Sequence, residues 1–413
     1  MRDADGPRTR GRSVPPRTDA PFTVLLAVPT LDNGAAEAGV IDTARILSEA
    51  GHRAIVVSRG GRREADVGLA GAEWVKLDVG SINPAAMLAN VARLARLIRR
   101  CGCDIVHAHG RAPAWSGYAA ARMTGRPFAT TWYKGFREQN PLKRLYNGVM
   151  VRGDRVVAVS EQIAALIGDR YRMPAERLRV IPAGIDLLHF DPAAIAPERI
   201  EEARRIFGVE PNTKVALVVG RMLRRKGHHV VVQAVQRLKA LGLKDFVCVF
   251  ASEEAGTRYA GELWDQVLAS DAADVIRLVG PLEDVPAAYA ASTVVVSAAV
   301  QPEGLQRAIL EAQAMACPVI VSDLGAGADV VLAPPAVPEG RMTGLRFPAG
   351  DEAALATALV RVFCMPEPER RAIGARGRAW VAAHFDPEAV ARETLRLYAD
   401  LMAVRAAAAA SAS

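Results

Sequence analysis

The chain has 413 residues, too many for a single hydrophobic core and enough for two domains of ordinary size. With 51% apolar and 23% charged residues its composition is globular, and no apolar run approaches the ~18 residues that a membrane helix needs. The net charge of +7 suits phosphorylated ligands or anionic lipid, whereas 5% aromatic residues without basic–aromatic interleaving argue against a nucleic-acid partner.

Short β-branched runs alternate with longer amphipathic segments along the chain. The predicted strands are residues 22–28, 54–58, 104–109, 128–132, 155–160, 214–220, 246–252, 275–280, 293–298 and 318–322. The predicted helices between them include residues 38–50, 86–100, 228–241, 304–317 and 352–365. Strand–helix alternation of this kind indicates an α/β fold, a parallel sheet covered on both faces.

The alternation pauses once, at residues 183–198, which are rich in turn formers. We therefore predict two doubly wound domains, residues 21–195 and 196–385, after a disordered basic tail over residues 1–20. Ligands bind at the carboxyl ends of the strands in such sheets, so we expect the site in the cleft between the two facing domains.

Two carboxylates, Glu303 and Glu311, stand in a stretch that is otherwise largely apolar or small. Burying an unpaired carboxylate is costly, so their presence asks for a reason. Glu303 precedes the predicted helix and Glu311 lies ~12 Å further along it, which suits two contacts on one elongated, hydroxyl-rich ligand. The predicted helix N-terminus at Gly304 and Leu305 would offer free N–H groups to a phosphate. The alternative is a core helix in which Glu311 reaches water or pairs with an arginine.

A basic loop follows the strand that ends at Gly220. Arg221 and Lys226 lie in this loop before the next helix, but no G-K-[ST] sequence makes it a Walker A loop. The two cations could neutralise a diphosphate through charge-assisted hydrogen bonds. The alternative is a solvated basic loop.

The N-terminal half has a glycine-bearing loop over residues 29–39, without the G-x-G-x-x-G fingerprint of dinucleotide binding. His107 and His109 alternate at the end of a strand, so they share a face that points to the cleft or to the core. A structural role is the alternative for both. Cys101 and Cys103 have no matching second pair, so we predict no zinc site.

Together these residues resemble the GT-B glycosyltransferases, specifically the retaining family 4, over about residues 22–400. The E-x7-E motif of that family is matched by Glu303 and Glu311. Its strand–G-R…K-G element is matched by residues 220–227, about eighty residues upstream, as the family places it.

The resemblance implies two Rossmann-like domains, a nucleoside-diphosphate sugar donor, no cofactor and no obligatory metal. Arg221 and Lys226 would bind the donor diphosphate, Glu311 the ribose hydroxyls, and Glu303 the transferred sugar and diphosphate. His109 would lie near the reacting carbon on the acceptor side. The residues expected at the donor are Gly34, Gly220, Arg221, Lys226, Glu303, Gly304, Leu305 and Glu311, and those expected to act in the reaction are His109, Arg221, Lys226 and Glu303.

The resemblance also assigns residues 386–413 to a last helix that crosses back to the N-terminal domain and ends in a frayed tail. Three positions depart from the family pattern. Ala35 follows Gly34 where the family has a second glycine, and Tyr133-Lys134 replace a histidine-glycine pair. Leu305-Gln306 stand where an aromatic residue and a glycine are usual.

The expected function is transfer of a sugar, with retention, to a hydroxyl of a cell-surface glycan or glycolipid precursor of the lipopolysaccharide, capsule or exopolysaccharide type. A nucleotide-sugar epimerase of the same fold and a non-catalytic sugar-nucleotide-binding protein remain alternatives. An NAD-dependent oxidoreductase is disfavoured because the dinucleotide fingerprint is missing.

The expected place is the cytoplasm, with a possible peripheral position on the inner membrane face. In residues 87–100 an apolar stripe is expected to face the core and four arginines, Arg93, Arg96, Arg99 and Arg100, to lie opposite it. Such a face would attract an anionic membrane surface. The alternative is an ordinary solvated helix face.

Overall fold

The computed structural model of the protein describes residues 20–32, 34–136, 140–252, 257–325 and 327–412, so the predicted tail lies outside the described residues except for Ala20. The strands are β1 (Thr23–Ala27), β2 (Arg53–Ser58), β3 (Glu73–Lys76), β4 (Ile105–Ala108), β5 (Phe128–Trp132), β6 (Arg155–Ala158), β7 (Leu178–Val180), β8 (Lys214–Val219), β9 (Phe246–Ala251), β10 (Ile276–Val279), β11 (Val294–Ser297), β12 (Val319–Ser322) and β13 (Leu345–Phe347). The α-helices are α1 (Ala35–Glu49), α2 (Glu64–Leu69), α3 (Pro84–Arg100), α4 (Arg111–Met123), α5 (Pro141–Gly148), α6 (Glu161–Tyr171), α7 (Pro197–Phe207), α8 (His228–Ala240), α9 (Arg258–Leu268), α10 (Val285–Ala290), α11 (Arg307–Ala314), α12 (Gly327–Val330), α13 (Glu352–Cys364), α14 (Glu367–His384) and α15 (Pro387–Ala412).

The strands form two parallel sheets. The first has seven strands in the order β3-β2-β1-β4-β5-β6-β7, and the second has six in the order β10-β9-β8-β11-β12-β13. Both orders run outward from a central reversal, which is the doubly wound arrangement. The predicted α/β fold with two Rossmann-like sheets is therefore confirmed.

Three strands are absent from the sequence prediction: β3, β7 and β13. Each has only three or four residues and carries a charged side chain, as in Leu345–Phe347, so none forms the β-branched run that marks a strand. They lie at sheet edges, where few side chains need to be apolar.

The helix that carries Glu311 begins later than predicted. It starts at Arg307 rather than at residue 304, with Gln306 as N-cap at φ −86° and ψ 84°. Gly304 packs closely against the backbone of Tyr133, since a Cβ on it would lie 1.6 Å from the Tyr133 carbonyl oxygen. Gly304 and Leu305 therefore belong to the preceding loop, and the expected helix-end N–H groups at these two residues are not there.

The second sheet is covered on both faces. Successive residues of β8 enter different cores: Val218 packs in one cluster with Val235 of α8, and Leu217 packs in the other with Leu310 of α11. This burial fixes the strand ends, and the loops that follow β8 and β11 are anchored as a result.

Helix α3 shows the predicted two-sided pattern. Asn83 caps its N-terminus by accepting hydrogen bonds from the backbone N–H groups of Ala85 and Ala86. Leu94 and Ile98 are fully buried. The four arginines Arg93, Arg96, Arg99 and Arg100 are exposed.

Contact clustering divides the chain into two compact units. Among the described residues, the first comprises those within 20–131, 144–156 and 388–412, and the second those within 132–143 and 157–387. The predicted boundary after residue 195 does not match this division. Within the first unit, α15 is held by the Tyr398 hydroxyl, which lies 2.8 Å from Nδ1 of His107.

Candidate active site

The candidate site in the second unit lies at the carboxyl ends of two neighbouring strands. β8 and β11 are adjacent at the point where the strand order of the second sheet reverses. The loop after β8 contains Arg221 and Lys226, and the loop after β11 contains Glu303. Doubly wound sheets bind ligands at this reversal, because the loops diverge there and leave a crevice.

An ion-pair cluster joins the two loops. The Lys226 ammonium lies 2.5 Å from one carboxylate oxygen of Glu303, and the Arg225 guanidinium pairs with the other oxygen. The Glu303 side chain is only 7% exposed, whereas those of Arg225 and Lys226 are 36% and 28% exposed. The two cations are therefore the more exposed members of the cluster, and the carboxylate is the buried one.

Arg225 was not predicted, because nothing in the sequence distinguishes it from the other basic residues of its loop. Residues Arg224–Lys226 form a short 3-10 turn that brings two consecutive side chains to the same carboxylate. The backbone carbonyl of Arg225 also accepts a hydrogen bond from the N–H of Val300, 2.9 Å away. The side chain of Arg221, by contrast, is exposed on the same loop.

Two glycines shape the loop after β8. Gly220 has φ 135° with open space around a built Cβ, so its backbone conformation is what requires glycine. Gly227 has φ 72°, and a Cβ on it would lie 1.7 Å from the carbonyl oxygen of Ala298. Gly227 therefore permits close contact between the two loops that carry Lys226 and Glu303.

Glu311 lies on α11, largely buried, with two donors on its carboxylate. Arg307 Nε lies 3.1 Å from Oε1, and the buried Tyr289 hydroxyl donates to Oε2 over 3.0 Å. Burial raises the pKa of the Glu311 carboxyl, while the charge of Arg307 opposes that shift. The side chain is 15% exposed, and each carboxylate oxygen has the capacity to accept a second hydrogen bond. Tyr289 was also missed in the sequence, 22 positions before its partner.

The loop around Glu303 is enclosed by segments that follow other strands. Tyr133, after β5, contacts Gly304. Gly325, after β12, lies so close to the backbone of Glu303 that a Cβ on it would be 2.8 Å from the Glu303 nitrogen and carbonyl oxygen. Gln306 is 6% exposed, and both atoms of its amide lack a hydrogen-bond partner among the described residues. Residues 133–135 thus form part of the wall of this site, at the position where the family pattern departs.

The first unit carries Gly34, which was expected at the donor, and the strand-end histidines His107 and His109, of which His109 was expected on the acceptor side. Gly34 caps α1 with φ −176°, an extended conformation open to any residue, so its backbone does not demand glycine. His107 and His109 share a face as predicted, with ring centroids 4.3 Å apart, and both are buried. His107 Nε2 lies 2.8 Å from the Thr131 hydroxyl, so both ring nitrogens of His107 have partners.

Acid is expected to weaken the fold through two buried histidines, His107 of β4 and His228 at the start of α8. Burial lowers the pKa of His107 to about 3 and that of His228 to about 4, from 6.5. Between these values the unfolded chain binds protons that the folded chain does not, so the free energy of unfolding falls as pH falls below 6.5, by about 1.4 kcal/mol per pH unit and histidine. Denaturant midpoints between pH 7 and pH 4 measure this slope.

His107→Gln should reduce that pH dependence, because it removes one such proton. His384→Gln is the matched control, since His384 is exposed. Equal slopes for the two variants and the unaltered chain would contradict the assignment.

Among the described residues, no group of three or more histidine, cysteine, aspartate or glutamate side chains could hold a metal ion. In the same part of the chain, no helix is both long enough and apolar enough to cross a membrane.

Comparison with known proteins gives two family matches in tandem. Residues 36–188 match the profile of Glycosyltransferase Family 4, and residues 213–364 match Glycosyl transferases group 1. A D-inositol 3-phosphate glycosyltransferase from Salinispora tropica is 27% identical over 339 residues, which cover 77% of this chain and 68% of that protein. The lipopolysaccharide core biosynthesis mannosyltransferase LpsB from Rhizobium meliloti is 30% identical over 253 residues, covering 61% and 67%.

Among solved structures, Anabaena Alr3699/HepE in complex with UDP and glucose superposes with a TM-score of 0.78 at 18% identity. The superposition covers 92% of this chain and 99% of that one, and it shows a shared fold. The family matches of both halves and a relative at 30% identity all indicate a glycosyltransferase, and the shared fold agrees with this. The chain belongs to glycosyltransferase family 4 and is a GT-B enzyme that transfers glycosyl groups.

Proposed function

We propose that the protein moves a sugar, with retention, from a nucleoside-diphosphate sugar to a hydroxyl of a cell-surface glycan or glycolipid precursor. The observation that carries the donor assignment is the pairing of Glu303 with Arg225 and Lys226 at the strand-order reversal of the second sheet. This cluster supports the assignment because two cations can neutralise a diphosphate and a carboxylate can accept hydrogen bonds from sugar hydroxyls, at the place in the sheet where such folds bind ligands.

In the proposed reaction the acceptor oxygen bonds to the anomeric carbon on the face from which the diphosphate leaves. The bond from that carbon to the phosphate oxygen breaks, and the acceptor proton passes to the departing phosphate. The protein positions the two substrates and stabilises the charge that develops on the diphosphate. Arg221 and Lys226 would supply the positive charge that stabilises the diphosphate, and His109 would line the acceptor side.

The name of one relative supports this class of acceptor, and the name of another points to an inositol phosphate. LpsB is a lipopolysaccharide core mannosyltransferase, and the Salinispora protein is named for an inositol phosphate. We place the present enzyme with the glycolipid precursors, of the lipopolysaccharide, capsule or exopolysaccharide type, because its basic helix face suits a membrane surface.

Glu311→Gln tests the donor site. The change removes the charge that would hold the ribose hydroxyls and is expected to weaken binding of UDP, GDP or ADP by ~1.5–3 kcal/mol, about 10- to 100-fold. Calorimetry on the free nucleotides measures it without any need for the acceptor. Glu352→Gln is the control, since Glu352 lies on α13 and pairs with Arg237 on the surface. Equal nucleotide affinity of Glu311→Gln and the unaltered chain would remove Glu311 from the site.

We further propose that the enzyme works in the cytoplasm, peripherally on the inner membrane face, through the exposed arginines of α3. Leu88 on the same helix is 74% exposed and Ile82 just before it is 73% exposed, so apolar side chains accompany the charges. Each basic residue near an anionic leaflet contributes about 1 kcal/mol. Co-sedimentation should therefore favour anionic over neutral vesicles and fade with salt.

Changing Arg93, Arg96, Arg99 and Arg100 to glutamine should abolish this preference. A charge-matched control changes four exposed arginines of the second unit, Arg205, Arg237, Arg258 and Arg371. If both quadruple variants pellet alike, α3 is an ordinary solvated helix.

A further inference from the structure

In a simple phosphate-binding site the cations would be unpaired before the phosphate binds, but the cations of the loop after β8 are not. Arg225 and Lys226 each already have a partner, the two oxygens of Glu303. Both cations are about a third exposed and the carboxylate is nearly buried. A diphosphate that arrives at this surface would meet the two cations first, and it would compete with Glu303 for them.

We propose that Glu303 is an exchangeable counter-ion: Arg225 and Lys226 leave it for the donor diphosphate, and its carboxylate is thereby released to the hydroxyls of the transferred sugar. The proposal deepens the function proposed above and rests on it. No bond is made or broken in this step; two ion pairs change their anion, and the carboxylate exchanges ammonium and guanidinium donors for hydroxyl donors.

This exchange predicts that the site distinguishes the intact donor from the free diphosphate. The intact donor supplies hydroxyls that replace the cations on Glu303. A free nucleoside diphosphate would also bind the two cations, but it has no transferred sugar whose hydroxyls could donate to Glu303. The buried carboxylate would then be unpaired, which costs binding free energy. Once the sugar has been transferred, Glu303 would recapture Arg225 and Lys226 and help to release the product, a step that often limits turnover.

Arg225 has a defined part in the exchange. Its backbone is fixed by the hydrogen bond from Val300, while its guanidinium is partly exposed and can reorient. It would therefore add a second cation to the diphosphate beside Lys226. Glu262 offers a contrast, because it pairs with Arg224 of the same loop but is 43% exposed and can be solvated without that partner.

The test compares Glu303→Gln with Glu262→Gln in the full chain. Calorimetry measures the affinity of each for UDP, GDP, ADP and inorganic pyrophosphate. Glu303→Gln is expected to bind the best nucleoside diphosphate about tenfold more tightly than the unaltered chain, because the cations are free for it. Its turnover with the matching sugar nucleotide should fall nonetheless. Glu262→Gln should bind within about twofold of the unaltered chain, since its solvated pair is weak.

Arg225→Gln provides an independent arm, in case Glu303→Gln folds poorly. It is expected to weaken diphosphate binding about tenfold, because one of the exchanging cations is lost. Equal or weaker binding by a folded Glu303→Gln, or unchanged binding by Arg225→Gln, would overturn the exchange while leaving the proposed function in place. If the unaltered chain binds none of the four probes, the proposed function and this inference fall together.

Discussion

Lys226→Ala is expected to lower turnover by about 10²–10³-fold, the usual loss when one group that stabilises transition-state charge is removed. Lys226 lies 2.5 Å from a carboxylate oxygen of Glu303 and is more exposed than that carboxylate. In the proposed mechanism its ammonium stabilises the charge that develops on the departing diphosphate. The fold should remain, because Arg225 still pairs with the buried carboxylate.

Steady-state transfer from the sugar nucleotide measures the effect, with thermal unfolding as a check on the fold. Lys239→Ala is the matched control. Lys239 lies at the C-terminal end of α8, is 25% exposed and is ion-paired to Asp274. EDTA should leave the unaltered rate in place, because protein cations neutralise the diphosphate in the proposed mechanism. A Lys226→Ala rate within about threefold of the Lys239→Ala rate would contradict that role.

The sheets were predictable because their central strands are β-branched runs. Phe128–Trp132 coincides with its predicted strand, and Lys214–Val219 differs from its prediction by one residue. The short edge strands such as Leu178–Val180 were not, since three residues give no periodicity to detect. The start of α11 was misplaced by three residues, and Gly304 instead lies in a loop packed against the backbone of Tyr133, a tertiary contact that the sequence does not reveal.

The candidate site shows the same division between local and tertiary information. Lys226, Glu303 and Glu311 could be selected from the sequence because they match two family motifs with characteristic residue spacing. Their partners Arg225, Arg307 and Tyr289 were not, because a sequence does not state which neighbouring side chain turns towards a carboxylate. The expectation that Glu311 pairs with an arginine and the expectation that it serves a ligand are both compatible with the observed geometry.

Gly227→Ala is expected to cost about 2–5 kcal/mol of stability and to abolish donor binding. Two separate effects contribute. Alanine at φ 72° is strained, and its Cβ would lie 1.7 Å from the carbonyl oxygen of Ala298, which must move away. That movement separates the loop of Lys226 from the loop of Glu303, so the ion-pair cluster between them should be lost together with the stability.

Gly242→Ala separates the two effects. Gly242 has φ 76°, nearly the same backbone conformation, but nothing lies within 4 Å of a built Cβ, so alanine there meets only the strain. It should cost about 1–2 kcal/mol and leave nucleotide affinity unchanged. Denaturant unfolding and calorimetry with UDP, GDP and ADP measure both quantities for both variants. If the two substitutions cost the same and both spare binding, the contact with Ala298 does not organise the site. A loss of binding confined to Gly227→Ala would instead tie the geometry of this loop to the donor, independently of any charged residue.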